Sequence, residues 1–204
     1  MSSTVKVFID DQGKPTNIPD YETIITQLPL PTSAVCESPS SLDKRSEHDV
    51  SNIWVKSGRN ITMGEARTQR FDAQHLQDSE NLALAFTWGN FGYIVTEYID
   101  GQTCDNSDIA LVAAAVQVLI NIPSPNLTPG PVGGGLIEHP FFVDGKSSIR
   151  YESVEELQNH VNGILSETER RGRVSFTTEV ANHGLRLCVS DLIPVNFMRD
   201  RDNN

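Results

Sequence analysis

The sequence of 204 residues, 38% of them hydrophobic, is long enough to bury one sizeable core, either as a single domain or as two lobes. Its formal net charge of −11, from 16 basic and 27 acidic residues, argues against the clustered Lys and Arg surface that contacts nucleic-acid phosphates. We therefore expect no nucleic-acid partner, and a bound phosphate must be held by a few local groups.

Cysteine number and hydropathy bear on the compartment. The three cysteines, Cys36, Cys104 and Cys188, lack metal-ligand spacing and are odd in number, which favours a reducing compartment. The opening residues MSSTVKVFIDDQGK lack the basic and apolar regions of a signal peptide, and the longest apolar run, around Ile109 to Ile122, is too short to span a bilayer. We predict a cytoplasmic protein with no membrane partner.

The first quarter of the chain is rich in Pro, Ser and Asp, with one apolar patch at Ile24 to Leu30. Because such a composition buries little apolar surface, residues 1–19 are predicted to form a poorly ordered N-terminal segment. No glycine occurs from Cys36 to Val50. A loop that covers phosphates needs glycines, because only they let backbone N–H groups approach the phosphate oxygens closely.

A strand and a helix are predicted next. The alternation of Ile53 and Val55 indicates a short strand, and Thr62 followed three residues later by Glu65 is typical of a capping box that opens a helix to about Leu76. Lysine 56 therefore ends the strand that precedes this helix.

A hairpin completes the first half. The β-rich runs 82–88 and 91–98 are joined through Gly89 and Asn90, both of which tolerate the positive φ angles of a tight turn. Residues 20–101 are thus expected to form a small antiparallel sheet with one helix.

After Gly101 the pattern becomes helical. A first helix, ended by Pro123, carries apolar residues on one face and is predicted to be a core helix. The residues of that face are Ile109, Val112, Ala113, Val116, Leu119 and Ile120. A second amphipathic helix begins at a capping box formed by Ser153 and Glu156 and ends near Gly172.

The long connection between Pro123 and Arg150 contains PGPVGGG at 129–135 and HPFF at 139–142. A connection of this length is usually either functional or without fixed structure. We interpret it as a lid or substrate loop, with a flexible surface connection as the alternative.

The segment 185–198 carries the clearest chemical pattern. Within it Asp191 and Asn196 lie five residues apart between apolar runs. This is the spacing at which kinases place a catalytic base and a magnesium ligand, although an isolated Asp and Asn at this distance are common.

Several strings in order carry a resemblance to a known family. They are WVKSG at 54–58, ITMGEARTQRF at 61–71, YIVTEYIDG at 93–101, PGPVGGG with HPFF, and LCVSDLIPVNF at 187–197. From roughly Leu28 onward the chain resembles the protein-kinase-like fold, specifically the fungal aminoglycoside phosphotransferase family. The resemblance implies an α+β fold of two lobes: a small antiparallel sheet lobe at 20–101 and an incomplete, mainly helical lobe at 102–204.

The resemblance also implies an activity, the ATP-dependent phosphorylation of a hydroxyl on a small-molecule acceptor, with Mg²⁺ as the metal. Lys56 would bind the α- and β-phosphates of ATP, and Glu65 would form an ion pair with it. Asp191 would accept the proton of the acceptor hydroxyl, and Asn196 would hold the magnesium ion.

The adenine would be bound at the string Thr96 to Ile99. By the same resemblance, the Glu97 carbonyl and the Ile99 N–H would hydrogen-bond the base, while Thr96 would control access behind it.

Each of these residues also has a structural interpretation. Lys56 taken alone is a surface lysine, and Glu65 completes the capping box that Thr62 begins. The run 93–98 is an apolar strand that leads to a turn, whether or not a nucleotide binds.

Three departures from the family pattern leave the function open, the first being the absence of glycine from Cys36 to Val50. Val189 stands where the motif normally has a His that braces the catalytic loop, and no metal-binding Asp-Phe-Gly motif follows before Asn204. The alternatives are an inactive pseudokinase-like protein that binds nucleotide or acts through interactions, or a truncated fragment of a phosphotransferase.

Overall fold

A computed structural model of the chain describes residues 4–10, 18–27, 53–76, 82–98, 100–189 and 192–199. Within these ranges the protein is α+β, with a four-stranded antiparallel sheet and five α-helices. The chain divides into two compact units, Met1–Ile99 and Asp100–Asn204. No helix in the described ranges is long and apolar enough to cross a membrane.

The first unit contains the four-stranded sheet and two helices. Its strands are β1 (Val5–Asp10), β2 (Ile53–Gly58), β3 (Leu82–Trp88) and β4 (Phe91–Glu97), and its helices are α1 (Tyr21–Gln27) and α2 (Met63–Leu76). The strand order is β1-β3-β4-β2, and all neighbours are antiparallel. The predicted hairpin is confirmed, since Trp88 pairs with Phe91 across a turn in which Gly89 has a φ of 58°.

Apolar side chains cover the sheet on both faces. On one face, Ile24 of α1 packs with residues of β3 and β4, and the Tyr21 ring lies 6.0 Å from that of Phe86. On the other face, Ala66 of α2 packs against Ile94. Burying both faces explains why β3 and β4 read as nearly continuous apolar runs.

Strand β1 differs from the sequence prediction. Residues 1–19 were expected to be poorly ordered, but Val5–Asp10 pair with β3 at the edge of the sheet. The alternation of Val5, Val7 and Ile9 supplies the period-2 pattern of a strand. The prediction followed the polar composition of the surrounding residues instead of this short alternation. The strand itself is stable only because it pairs with β3, which is distant in sequence.

The second unit contains three helices and a short two-stranded sheet. The helices are α3 (Ile109–Leu119), α4 (Val154–Glu167) and α5 (Phe176–His183), and the strands are β5 (Gln102–Thr103) and β6 (Met198–Arg199). Single 3₁₀ turns lie at Asn106–Asp108 and Pro194–Asn196. Ser153 caps α4 as predicted, accepting a hydrogen bond from the Glu156 N–H at 3.1 Å.

Helix α3 forms where it was predicted but is not a core helix. Of its residues, all of which are described, Val112 is the buried one, whereas Ile109 is 60% exposed and Val118 52% exposed. The prediction took apolar periodicity as burial. Burial also requires a second layer over the face, and most of this helix lacks one in the described part of the chain.

The connection between α3 and α4 has fixed hydrogen bonds. Ser147, almost fully buried, accepts from the Ile137 N–H at 2.9 Å and donates to the Ile149 carbonyl at 2.8 Å. The Tyr151 hydroxyl lies 2.6 Å from His160 Nδ1 on α4. These contacts fold residues 137–149 on themselves and join Tyr151 to α4, and both interpretations of the connection, a lid or substrate loop and a flexible surface connection, stay predictions.

Candidate functional site

The central contact of the first unit is an ion pair between Lys56 on β2 and Glu65 on α2. Lys56 Nζ donates to Glu65 Oε1, and Gln69 Nε2 on the next turn donates to the same oxygen at 3.4 Å. The two side chains are 39% and 24% exposed, so solvent and ligands can reach the cation. The ion pair joins the strand and the helix that the sequence predicted to carry it.

Glu65 takes part in the helix cap through its backbone. Its N–H donates to Thr62 Oγ1 at 3.1 Å, while its carboxylate binds Lys56 and Gln69. The capping role and the ion-pair role therefore coexist, because they use different atoms of the same residue.

Strand register places two of the predicted residues, Lys56 and Thr96, on one face together with Trp54. Lys56 pairs with Ile94, and Trp54 pairs with Thr96. Because side chains two residues apart share a face, Trp54, Lys56 and Thr96 lie on the face where Ile94 packs against α2. Glu97, next along β4, pairs with Ile53.

Trp54 was missed from the sequence. Its side chain is 42% exposed, although large aromatic residues in this sheet are otherwise mostly covered. The residue could have been found from its position two before Lys56, which fixes the shared face. The row of Trp54, Lys56 and Thr96 on this face therefore offers an aromatic ring, a cation and a hydroxyl to a ligand.

The opposite end of this row is closed. A Cβ on Gly92 would lie 2.2 Å from the Ile61 carbonyl oxygen, so the chain that enters α2 rests directly on β4 there. The Gly92 end of this face is therefore covered by the chain that leads into α2.

Asp72 on α2 is a part-buried acid with one unsatisfied oxygen. Its Oδ1 is buried without a hydrogen-bond partner, and burial raises the pKa of its carboxyl from 3.8 to about 6, with His75 acting in the opposite direction. The polar side chains one turn away are engaged elsewhere: Thr68 with the Gly64 carbonyl, Gln69 with Glu65, and His75 with the Phe71 carbonyl. Asp72 therefore holds its proton more tightly than an exposed aspartate does.

In the second unit, Asn196 lies at the end of the 3₁₀ turn Pro194–Asn196, with an exposed side chain. Its N–H donates to the Ile193 carbonyl at 2.9 Å. The predicted base Asp191 and the predicted adenine-binding residue Ile99 both lie outside the described residues. The structure therefore gives the surroundings of one of the two residues predicted in segment 185–198.

This segment is fixed at both ends. At its start, Arg186 donates to the Asn121 and His183 carbonyls, each at 2.9 Å. At its end, the Phe197 carbonyl accepts from the Cys104 N–H at 2.9 Å. The turn that carries Asn196 thus lies against residues that follow β4 closely in the chain.

Mg²⁺ is the metal that the family resemblance predicts. No cluster of three or more His, Cys, Asp or Glu side chains suited to a metal ion occurs among the described residues. Magnesium needs only one or two protein oxygens when phosphate oxygens and water complete its octahedron, and the amide oxygen of an asparagine can serve as one of them. The exposed Asn196 side chain is compatible with this role.

Comparison with family models, curated proteins and solved structures found no match to this chain.

Proposed function

We propose that the chain has a protein-kinase-like two-lobed fold and is a phosphotransferase-type protein that binds ATP with Mg²⁺ and transfers phosphate to a hydroxyl of a small molecule. The proposal rests on the resemblance of its ordered motifs. Among structural observations, the Lys56–Glu65 ion pair carries it, since this pair is what kinases use to present a lysine to phosphates.

The geometry of the ion pair suits phosphate binding. A lysine ammonium is a compact charge on a flexible stem, and a carboxylate beside it fixes its position without removing the charge. With its side chain 39% exposed, Lys56 can exchange part of its contact with Glu65 for a phosphate oxygen. In a chain of net charge −11, such a local cation is needed to hold an anion.

The remaining contacts of the nucleotide follow from the same sheet face. The half-exposed Trp54 would pack on the planar base, and Thr96 would lie beside it. The backbone carbonyl of Glu97 and the N–H of Ile99 would hydrogen-bond its edge.

In the transfer step, Asp191 would accept the proton of the acceptor hydroxyl. Asn196 would ligate the magnesium ion, which supplies neutralisation of the charge on the transferring phosphates. Glu65 would keep Lys56 oriented toward these phosphates.

A nucleotide-binding protein without transfer is the second candidate. Val189 favours it, because a valine can pack but cannot donate the hydrogen bonds by which a histidine at this position braces the loop. The two candidates share nucleotide binding and differ in phosphate transfer.

Thermal unfolding with and without MgATP tests both. A ligand that binds only the folded state at 100 times its Kd stabilises it by about 2.7 kcal/mol, so the melting temperature should rise. We expect Lys56→Met to weaken ATP binding by about tenfold or more, since a charged contact to phosphate contributes at least that much.

The matched control is Lys146→Met, which removes an exposed lysine in the second unit. It should leave ATP binding unchanged. No shift of the wild type at millimolar ATP contradicts both candidates. Binding without ADP formation across a panel of hydroxyl compounds favours the second candidate, whereas turnover abolished by Asp191→Asn supports the first.

A further inference from the structure

The guanidinium of Arg199 makes a two-point contact inside the second unit. Its Nη1 donates to Asp108 Oδ1 at 2.8 Å, and its Nη2 donates to Gln102 Oε1 at 3.0 Å. Asp108 is only 9% exposed, and its other oxygen accepts from the Asp105 N–H at 3.0 Å. Arg199 therefore neutralises a largely buried carboxylate that also caps the turn leading into α3.

This contact holds the strand that follows Asn196. Arg199 lies in β6, which pairs with β5 through Gln102↔Arg199 and Thr103↔Met198. The approach is close: a Cβ on Gly101 would lie 2.6 Å from the Arg199 carbonyl oxygen. The position of Asn196, three residues before Arg199, is thus tied to residues 101–108.

A short two-stranded ladder is a weak anchor by itself. Isolated strand pairs are marginal in water, and β5 and β6 have two residues each. Asn196 has an exposed side chain and a single 3₁₀ turn beneath it. The charge-assisted bonds of Arg199 therefore add to the backbone pairing that holds the strand after this turn.

We propose that Arg199 is a positioning residue for the metal-binding step: through Asp108 and Gln102 it holds the turn that presents the Asn196 amide to Mg²⁺. This inference rests on the proposed function. Groups that orient a metal ligand typically change metal affinity by 10–100-fold when they are removed. Losing Arg199 should weaken the response to magnesium and spare the metal-free binding of nucleotide to Lys56.

The experiment compares Arg199→Met with Arg186→Met in the full chain. Arg186 also makes two hydrogen bonds, at the opposite end of the same segment, so its loss tests general loosening. For each protein, the affinity for ATP is measured with Mg²⁺ and with EDTA, and the ratio of the two affinities is the readout. We expect Arg199→Met to lower this ratio about tenfold, Arg186→Met to leave it unchanged, and Arg199→Lys to restore part of it by keeping one donor.

Hydrogen exchange supplies a readout that needs no nucleotide. Arg199→Met should speed exchange of the Cys104 amide, which donates to the Phe197 carbonyl, whereas Arg186→Met should speed exchange of the Leu187 amide, which donates to Ile122. If the wild type binds ATP with a magnesium dependence and both variants change it equally, or neither does, Arg199 has only a structural role and the inference is overturned. If the wild type binds no ATP, the proposed function fails and the positioning role fails with it, while exchange still reports whether Arg199 holds the turn.

Discussion

The hairpin β3–β4 and the helix α3 are both strongly apolar, yet only the hairpin is buried. Leu84, Ala85, Phe86, Ile94 and Val95 have no solvent exposure, because α1 covers one face of the sheet and α2 the other. Helix α3 is at least as apolar, but Ile109 and Val118 remain more than half exposed. Apolar content therefore indicates that a segment can be buried, and the layers packed on it decide whether it is.

The largest effect should come from truncating a buried side chain of the hairpin. Phe86 is stacked on Tyr93 at 4.7 Å inside the sheet core, so Phe86→Ala should destabilise the first unit by about 3–5 kcal/mol. Both tryptophans, Trp54 and Trp88, lie in this unit, so tryptophan fluorescence during urea unfolding reports on it.

Val118→Ala in α3 is the matching change on the exposed side. Urea unfolding followed by circular dichroism should show that it lowers the free energy of unfolding by less than about 0.5 kcal/mol, as expected at an exposed site. A loss above about 2 kcal/mol at Val118 would mean that α3 is covered after all, and the contrast between the two regions would be wrong.

A second comparison concerns the space around two glycines, Gly92 and Gly163. Gly92→Ala places a methyl group against the Ile61 carbonyl, so β4 or α2 must shift, and we expect a destabilisation of about 2 kcal/mol. In contrast, Gly163 in α4 has open space around its Cβ position, and Gly163→Ala should stabilise by about 0.8 kcal/mol because alanine favours helix. Equal effects of the two changes in chemical unfolding would exclude the tight contact at Gly92.

A third effect depends on pH. Asp72 has a folded pKa of about 6 against an ordinary 3.8, so its contribution to stability is fully present below pH 3.8 and is lost as the pH rises through 6. Between pH 4 and pH 8, the free energy of unfolding of Asp72→Asn should therefore rise by about 1 kcal/mol relative to wild type. This value is smaller than the full pKa shift would give, because the carboxyl is partly solvated.

The pH series is measured by urea unfolding, with Asp144→Asn as control because Asp144 is exposed in a surface turn of the second unit. The control should follow the wild type at every pH. A parallel pH profile for Asp72→Asn and the wild type would show that the Asp72 carboxyl ionises normally in the folded protein.

Local patterns predicted the middle of the first unit well. Strands β2, β3 and β4, helix α2 and the Gly89–Asn90 turn follow from alternation, a capping residue and turn chemistry, all of which act within a few residues. The contact of Lys56 with Glu65 was implied by the family resemblance and does not follow from these local patterns.

Long-range structure was less accessible from sequence. Strand β1 and the two-residue strands β5 and β6 depend on partners 74 or more residues away, and α5 was not predicted at all. The exposure of α3 and the burial of Asp72 likewise depend on what packs nearby, which periodicity does not encode. For the candidate site, the sequence named Lys56, Glu65, Thr96 and Glu97 but not Trp54, whose importance comes from the register between two strands.

The hydrogen bonds that hold residues 137–151 have a practical consequence. Ser147 bonds to Ile137 at the start of this segment, and Tyr151 bonds to His160 at its end. Val143, which lies between Ile137 and Ser147, is fully exposed and makes no buried contact. Such tips are the positions at which chains accept inserted residues without loss of fold. An affinity tag or a fluorophore inserted after Val143 would therefore serve as an internal handle on the second unit, far in sequence from either terminus.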